Sequence, residues 1–369
     1  MHVEHYQSDQ YVLPSHFDWI DGLRGVAAVA VVVFHYHHFY LADYTDRGNI
    51  PSLDSFPWHT VFGVFYEYGS AAVQLFWVIS GFVFAHDYVD RGAKFRNFVV
   101  ARFARLYPLH FATLIIVAGL QLVSMAWVGH WQIYGNNDLR HFGLQLVMSS
   151  NWTTLSRGLS FNGPIWSVSL EFVAYGLFLI TLPLLRFFGL IAALLLAAIL
   201  WWVGLSETLD IPGISLGAFI CAGYFFLGSC VYFVLRQAGA RQGVLLALIG
   251  IANLVGGWSF WNGIEHLMEA SASVAVVGVV ALADVMWRGP TIRWLKRLGD
   301  MSYSIYLIHV PLQMVILLLD DVMFAGNRDF ATSPLTLPLY LFVTIWLADS
   351  IYRQFEVPAS RALRKKLLG

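Results

Sequence analysis

Charged residues are scarce in this sequence. Aspartate, glutamate, lysine and arginine make up 12% of the 369 residues, whereas 58% are hydrophobic. Soluble domains carry about 25% charged residues, so this composition argues against an ordinary soluble protein and is typical of an integral membrane protein. The formal net charge is −1. Overall charge therefore indicates neither a nucleic-acid partner nor an acidic one.

Cysteine is almost absent as well. Cys221 and Cys230 are the two cysteines, and a helix would place them ~13 Å apart on opposite faces, too far for a disulfide. The chain has no Walker A loop, no GxSxG motif and no CxxC or HxxxH pair. The HYHH run at 35–38 is too tightly spaced, and too poorly supported by carboxylates, to predict a metal site. No metal is therefore expected.

Apolar segments about 20 residues long dominate the chain, and this is the length that a helix needs to cross a bilayer. The sequence predicts an all-α, polytopic membrane protein with about ten transmembrane helices and no separate soluble domain. The segment at 141–153 is too short to span and is predicted to be re-entrant or interfacial. The ten predicted spans are 20–41, 61–87, 106–128, 164–186, 188–205, 214–236, 243–261, 266–287, 300–320 and 335–352.

Lysine and arginine are distributed unevenly between the two sides that ten spans define. Eighteen of the 22 fall on the side of the termini, and the other side has only Arg47, Arg140, Arg157 and Arg328. Because cytoplasmic loops are enriched in these residues, both termini are predicted to be cytoplasmic.

The two ends of the chain are interpreted as tails around one transmembrane domain at 17–353. Residues 1–16 lack the basic region and the cleavage site of a signal peptide, so they are predicted to be a short cytoplasmic tail. Residues 354–369 are basic and are predicted to be a cytoplasmic tail that lies beside anionic lipid.

Two ionisable residues share one face of the first predicted span. Arg24 and His35 are eleven residues apart, which is about three helical turns and ~16 Å along the axis. Arg24 is then near the cytoplasmic interface and His35 in the outer half of the membrane. His38 is predicted to share this face and His37 to point elsewhere. A snorkelling arginine and a structurally bonded histidine would also explain the pair, but ionisable groups inside a membrane are usually functional.

A basic segment, KFRNFVVARFARLYP at 94–108, leads into the third span. Arg102 and Arg105 are three residues apart and therefore share a helix face. Such a segment often only anchors a span on the cytoplasmic side. The alternative is an anion clamp, because guanidinium groups bind phosphates in a bidentate manner. A cofactor that carries a nucleotide would fit this alternative.

Two carboxylates lie near or inside later spans. Glu171 is about two turns inside the fourth span, at a depth similar to that of His35. It is either a structural hydrogen-bond partner or a group that orients a catalytic imidazole, since a buried carboxylate must be paired or protonated. Glu356 shares a face with Arg353, and the two are predicted to form an interfacial ion pair.

Polar residues also follow one stripe of the ninth span. Tyr303, Tyr306 and His309 step by three residues, from the predicted cytoplasmic end to mid-membrane. An interfacial tyrosine belt would explain Tyr303 but not His309, which is too deep. A lining for a channel or substrate tunnel explains all three.

The chain resembles the membrane acyltransferase 3 family, which contains bacterial carbohydrate O-acetyltransferases. Five motifs carry the resemblance in order, DGLRGVAAVAVVVFH, LFWVISGFVFA, ARFARLYPLH, PIWSVSLEF and SYSIYLIHVP. The resemblance implies a multi-pass protein of the bacterial cytoplasmic (inner) membrane. It also implies transfer of an acyl group, usually acetyl, from cytoplasmic acyl-coenzyme A (acyl-CoA) to a hydroxyl of a sugar or glycolipid.

The resemblance and the depths of the residues together assign roles. The catalytic site is expected to comprise His35 and Glu171, and the donor site Arg24, Arg102, Arg105, Tyr303, Tyr306 and His309. His35 acts as general base in the favoured mechanism, and an acyl-histidine is the less favoured variant. Some relatives carry an additional extracytoplasmic domain. Without one, transfer to a distant polymer needs a partner protein or direct access to the acceptor.

A transporter is the alternative class, because the same polar residues could line a path for an ion, an acyl donor or a lipid-linked sugar. Transporters often show inverted repeats, and none is visible in this sequence. The identity of the acceptor, the acyl chain and the oligomeric state stay open at this point.

Overall fold

Helices are the regular secondary structure in the part of the chain that the structure describes. The computed structural model describes residues 13–45, 50–156, 158–206, 208–238, 242–287 and 292–369, and contains no strand within them. The all-α prediction is thus confirmed. The α-helices are α1 Asp18–Phe34, α2 His59–Tyr68, α3 Ala72–Tyr88, α4 Phe95–Trp127, α5 Leu139–Leu146, α6 Ile165–Phe188, α7 Leu190–Gly204, α8 Leu216–Ala238, α9 Gln242–Trp261, α10 Glu265–Met286, α11 Arg293–Asp300, α12 Ser302–Phe324, α13 Thr336–Ile351 and α14 Val357–Leu368.

Seven helical segments of the described chain are long and apolar enough to cross a membrane, and they coincide with seven of the predicted spans. The other three predicted spans contain α7, α9 and α13, of 15, 20 and 16 residues. The structure thus supports a multi-pass membrane protein, and the count of ten and the side of the termini stay predictions. The seven segments are Asp18–Tyr40, His59–Tyr88, Phe95–Trp127, Ile165–Phe188, Leu216–Gln237, Glu265–Met286 and Ser302–Phe324.

Part of the evidence for orientation lies outside the described residues. Residues 1–12 of the predicted N-terminal tail lie there, and so do Arg47, Arg157, Arg241 and Arg288, which are four of the 22 residues in the charge comparison.

The short segment after α4 forms α5, and its eight residues are too few to span, as predicted. Asp138 caps the helix by accepting a hydrogen bond from the backbone N–H of His141 at 2.9 Å. Hydrogen bonds from the backbone and the side chain of His141 lower the pKa of Asp138. His110 of α4 lies 2.7 Å from the Gln145 carbonyl, so α5 packs against the middle of α4.

Helix α8 lies at the centre of the bundle. Of its span window, 78% is buried, and it packs against α3, α6, α7 and α10. Cys221 and Cys230 are both on α8, free and buried, so the expectation of no disulfide between them is confirmed.

Glycines let α3 and α8 approach until their backbones touch. A Cβ atom added at Gly81 would lie 1.6 Å from the Phe225 carbonyl oxygen, and one at Gly228 would lie 1.8 Å from the Val78 carbonyl oxygen. Small residues at helix interfaces have this function in membranes, where packing replaces the hydrophobic driving force. The close approach fixes α3, which carries one wall of the functional site.

We expect Gly81→Ala to destabilise the protein by about 1–3 kcal/mol, because the added methyl group overpacks a backbone contact. Thermal unfolding in detergent would show a lower Tm. Gly119→Ala is the matched control, since a Cβ there meets nothing within 4 Å on a helix of the same bundle. An equal loss of Tm in both variants would contradict the packing argument.

A buried ion cluster joins the end of the first span to α12. The Arg328 guanidinium lies 2.8 Å from Asp320 and 2.6 Å from Asp321, and all three side chains are less than a tenth exposed. Arg328 also donates to the Leu41 carbonyl at 2.9 Å. Buried charges of this kind are costly to leave unpaired. The cluster therefore holds the turn that follows α1 against α12.

Candidate active site

A cleft opens between α1, α3, α4, α6 and α12. Its volume is about 790 Å³ including the open mouth, and its lining includes six of the eight residues predicted for the site. The polar side chains that line it are Arg24, Ser80, Arg102, Arg105, Ser167, Glu171, Tyr175, Ser302, Tyr303 and Tyr306. The residues missing from its lining are His35 and His309.

Two arginines of the cleft have no ion-pair partner within the described chain, whereas Arg24 lies 3.7 Å from Asp21. Among the described residues, neither Arg102 nor Arg105 has a carboxylate oxygen within 4.0 Å. Arg102 lies over the Phe84 ring, 4.3 Å from its centre, and donates to the Tyr88 hydroxyl at 3.2 Å. Its buried Nε–H has no hydrogen-bond partner in the described structure. The Arg102 guanidinium is thus held against Phe84 and Tyr88 and keeps an N–H for an anion.

Glu171 is the acidic residue of the cleft. It accepts hydrogen bonds from Ser80, at 3.3 Å, and from Tyr175. Glu171 does not contact the imidazole of His35, although the two residues were predicted to lie at a similar depth. Similar depth on two spans therefore did not predict a contact here. One turn closer to the start of α6, Ser167 bonds to Tyr306, and this pair lies between Glu171 and the histidines.

Two tyrosines form one end of the cleft. The Tyr303 hydroxyl donates to the Leu106 carbonyl at 2.6 Å. The Tyr306 hydroxyl lies 2.7 Å from the Ser167 hydroxyl and donates to the Pro164 carbonyl at 2.9 Å. These bonds tie α12 to α4 and α6. The predicted stripe on α12 therefore lines the cleft with its first two members.

Four imidazoles, of His35, His37, His38 and His309, pack together beyond Tyr306, and we call them the histidine cluster. The ring centre of His35 lies 4.9 Å from that of His38, 5.0 Å from that of His309 and 6.0 Å from that of His37. The prediction that His35 and His38 share a face is confirmed, but His37 was wrongly predicted to point away. The reason is that α1 ends at Phe34 and continues as a 3₁₀-helix, with three residues per turn.

Hydrogen bonds define the proton positions on two of these rings. His35 Nδ1 lies 2.9 Å from the Val31 carbonyl, and His38 Nδ1 lies 2.9 Å from Gln313 Oε1. Because a carbonyl oxygen only accepts, each Nδ1 carries a hydrogen, so the lone pair of the neutral ring is on Nε2. Gln313 also donates to the His35 carbonyl at 2.7 Å. In its neutral form, His35 therefore has an Nε2 that can accept a proton.

His309 lies between the cleft and His35. Its ring centre is 6.1 Å from that of Tyr306, and the side chain is fully buried. Neither ring nitrogen has a hydrogen-bond partner within the described residues. Buried polar groups are nearly always paired, so an unpaired imidazole beside His35 indicates a functional position.

A second, wider cavity of about 1200 Å³ leads into the cleft from the predicted cytoplasmic side, and we call it the vestibule. Arg24, Val83 and Arg105 line both cavities and form the neck between them. Helix α14, which was predicted as part of a basic tail, contributes Arg361 and Arg364 to the vestibule wall.

The predicted ion pair between Arg353 and Glu356 is wrong. Arg353 pairs with Asp349, and Glu356 accepts a hydrogen bond from Ser304 at 2.5 Å. Residues 352–356 form a π-helical turn, whose wider winding rotates Glu356 toward α12 and the vestibule.

Comparison with known proteins decides the family. A family model described as an acyltransferase domain, Acyl_transf_3, matches residues 17–353. The chain belongs to the acyltransferase 3 family. It is 27% identical to the acyltransferase MdmB of Streptomyces mycarofaciens over 274 residues, which are 65% of this chain and 67% of MdmB.

A shorter match extends to a protein with no stated activity. The chain is 35% identical to Protein 2 in picA locus of Rhizobium radiobacter over 112 residues, which are 28% of this chain and 46% of that protein. No solved structure matches the chain. The family assignment and the helices together make the protein a membrane acyltransferase.

Several side chains of this acyltransferase site were missed at the level of sequence. Gln313 follows His309 by four residues, so the two share a face of α12, and this spacing could have revealed it. Tyr175 has the same spacing from Glu171. Ser80 gave no such signal, because a serine in an apolar span is common. No group of three or more metal-ligating side chains suited to a metal ion occurs in the described part of the chain.

Proposed function

We propose that the protein transfers an acyl group, with acetyl as the default, from acyl-CoA to a hydroxyl of a carbohydrate or glycolipid. One observation carries the proposal: the vestibule and the cleft meet at Arg24 and Arg105, and the cleft ends at Tyr306, whose ring centre lies 6.1 Å from that of the buried His309. We further propose that the protein lies in the bacterial cytoplasmic membrane, with the vestibule open to the cytoplasm.

The arginines suit the phosphates of the donor. Arg24 and Arg105 stand at the neck, and Arg102 lies deeper in the cleft. An extended pantetheine arm is ~15–20 Å long at backbone-like reach, which resembles the ~16 Å between Arg24 and His35. With its phosphates at the neck, the donor would carry its thioester past Tyr306 to the histidine cluster.

His35 is proposed as the general base. Its Nε2 takes the proton of the acceptor hydroxyl while the hydroxyl oxygen attacks the thioester carbonyl carbon. The tetrahedral intermediate then breaks its C–S bond, and the imidazolium returns the proton to the departing thiolate. The products are an ester and free coenzyme A. The position of His309, unpaired beside His35, suits a donor of a hydrogen bond to the thioester carbonyl.

Glu171 is proposed as a positioning residue of the donor cleft. Its bond to Ser80 joins α3 to α6 at the level of the arginines, and its bond to Tyr175 lies within α6. A carboxylate there offsets part of the cationic charge before the donor binds. Handover of the acyl group to a distant polymer would use a partner protein or direct access to the acceptor.

The test is acceptor-dependent release of coenzyme A. Purified protein in nanodiscs would be mixed with acetyl-CoA and a panel of sugars and glycolipids, and the free thiol and the mass of the acylated product would be measured. Release that requires both an acceptor and intact protein would support the proposal. Substrate flux across proteoliposomes without thiol release would instead favour the transporter alternative.

A further inference from the structure

The vestibule contains cationic groups that the transfer chemistry does not use. Arg361 and Arg364 line it from α14, three residues apart and therefore on one helix face. Neither has a carboxylate oxygen within 4.0 Å in the described structure. Lys365 and Lys366 follow on the same helix but do not line the cavity. Arg361 and Arg364 thus line the vestibule, whereas Lys365 and Lys366 do not.

Helix α14 is docked and does not simply trail from the last span. It packs along α4, and Arg96 at the start of α4 donates to the Leu367 carbonyl at 2.5 Å. The π-helical turn at Tyr352–Glu356 connects it rigidly to α13. The position of Arg361 and Arg364 over the vestibule is therefore set by tertiary contacts.

No acidic group of the vestibule forms an ion pair with Arg361 or Arg364 in the described structure. Its carboxylates are Asp21, which lies 2.8 Å from His16 and 3.7 Å from Arg24, Asp87, which lies 3.4 Å from His86, Glu356, which accepts from Ser304, and Asp300. Arg361 and Arg364 remain available for a doubly charged group such as a phosphate monoester.

The two cavities offer separate positions for the phosphates of coenzyme A. The neck, with Arg24 and Arg105, suits the pyrophosphate at the end of the pantetheine arm. The adenosine must then lie in the vestibule, because the cleft beyond the neck is occupied by the arm. The vestibule is also the wider of the two cavities, at about 1200 Å³ including its open mouth.

We propose that Arg361 and Arg364 bind the 3′-phosphate of the coenzyme A adenosine in the vestibule, so that α14 distinguishes coenzyme A from its 3′-dephospho form. This inference rests on the proposed function, because it assumes that the donor is an acyl-CoA. It assigns a ligand site to a helix that composition alone would place beside anionic lipid.

The experiment compares coenzyme A with 3′-dephospho-coenzyme A in calorimetric titrations of the protein in nanodiscs made from neutral lipid. Charge-assisted hydrogen bonds contribute about 1.5–3 kcal/mol each, so wild-type protein should prefer coenzyme A by about tenfold or more. R361Q/R364Q should bind coenzyme A more weakly and leave the affinity for the dephospho form unchanged. K365Q/K366Q, on the same helix, should keep the wild-type preference.

The other possible results contradict either the assignment of Arg361 and Arg364 or the proposed function. Equal wild-type affinity for the two ligands would overturn the assignment and leave the proposed donor intact. The same would follow if R361Q/R364Q weakened both ligands equally, or if K365Q/K366Q removed the preference as well. Folded wild-type protein that binds neither ligand would contradict the proposed function itself. The wild-type preference needs no variant, so a misfolded variant would not block the test.

Discussion

His35→Ala is expected to lower kcat for acyl transfer by about 10²–10⁴-fold, the usual contribution of a general base, with donor affinity unchanged. The physical reason is the position of the ring. His35 does not line the donor cleft, and its Nδ1 is held by the Val31 carbonyl, which leaves Nε2 for the acceptor proton. The measurement pairs the rate of thiol release with a calorimetric titration of coenzyme A.

The matched control for this variant is His59→Ala. His59 begins α2, on the same predicted side of the membrane, and lies outside the histidine cluster. Its loss should leave both kcat and donor affinity close to wild type. Full activity in His35→Ala would refute the base assignment, and an acyl group found on His35 by mass spectrometry after acid quenching would favour the covalent variant.

Much of the donor site could be predicted from the sequence. Ionisable residues in a membrane helix turn toward the protein interior, because lipid cannot solvate them. Arg24, Arg102 and Glu171 lie on different spans, yet all three line one cleft, as this rule requires. Regular helical spacing also placed Tyr303 and Tyr306 correctly, since α12 is continuous from Ser302 to Phe324.

The errors arose where the winding of a helix changes. The 3₁₀ turn after Phe34 brings His37 into the histidine cluster, and the π-helical turn before α14 separates Glu356 from Arg353. Both changes alter side-chain direction without altering hydropathy, so apolar periodicity does not reveal them. Contacts between distant segments were equally hidden. The bond between Gln313 and the His35 carbonyl joins residues 278 positions apart.

The site consists of two layers, a donor layer and an imidazole layer. The donor layer consists of the cleft and the vestibule, which together contain five arginines. The imidazole layer lies beyond the Tyr306–Ser167 pair and depends on Gln313 and on the buried Arg328 cluster for its geometry. Variants in the first layer should therefore change donor affinity, and variants in the second should change kcat.

Arg102→Ala and Arg105→Ala are each expected to weaken binding of coenzyme A by about 10–100-fold, since a charge-assisted hydrogen bond contributes about 1.5–3 kcal/mol. KM for the acyl donor should rise, and kcat should fall much less. Arg102→Lys should also bind weakly, because an ammonium group keeps the charge but loses the planar fork and the stacking on Phe84. Calorimetric titration and steady-state kinetics in nanodiscs would measure these effects.

Thermal stability separates this role from simple anchoring. Arg102 has an unpaired buried Nε–H and no carboxylate within 4.0 Å in the described structure, so its removal should leave the Tm of the ligand-free protein unchanged or raised. Arg353→Ala is the matched control. It removes an exposed arginine that pairs with Asp349 on the same predicted side of the membrane, and it should leave donor affinity at the wild-type value. Unchanged donor affinity in both cleft variants would mean that these arginines only anchor α4. If a variant loses donor affinity but keeps the Tm of the ligand-free protein, the arginine acts by binding an anion of the donor.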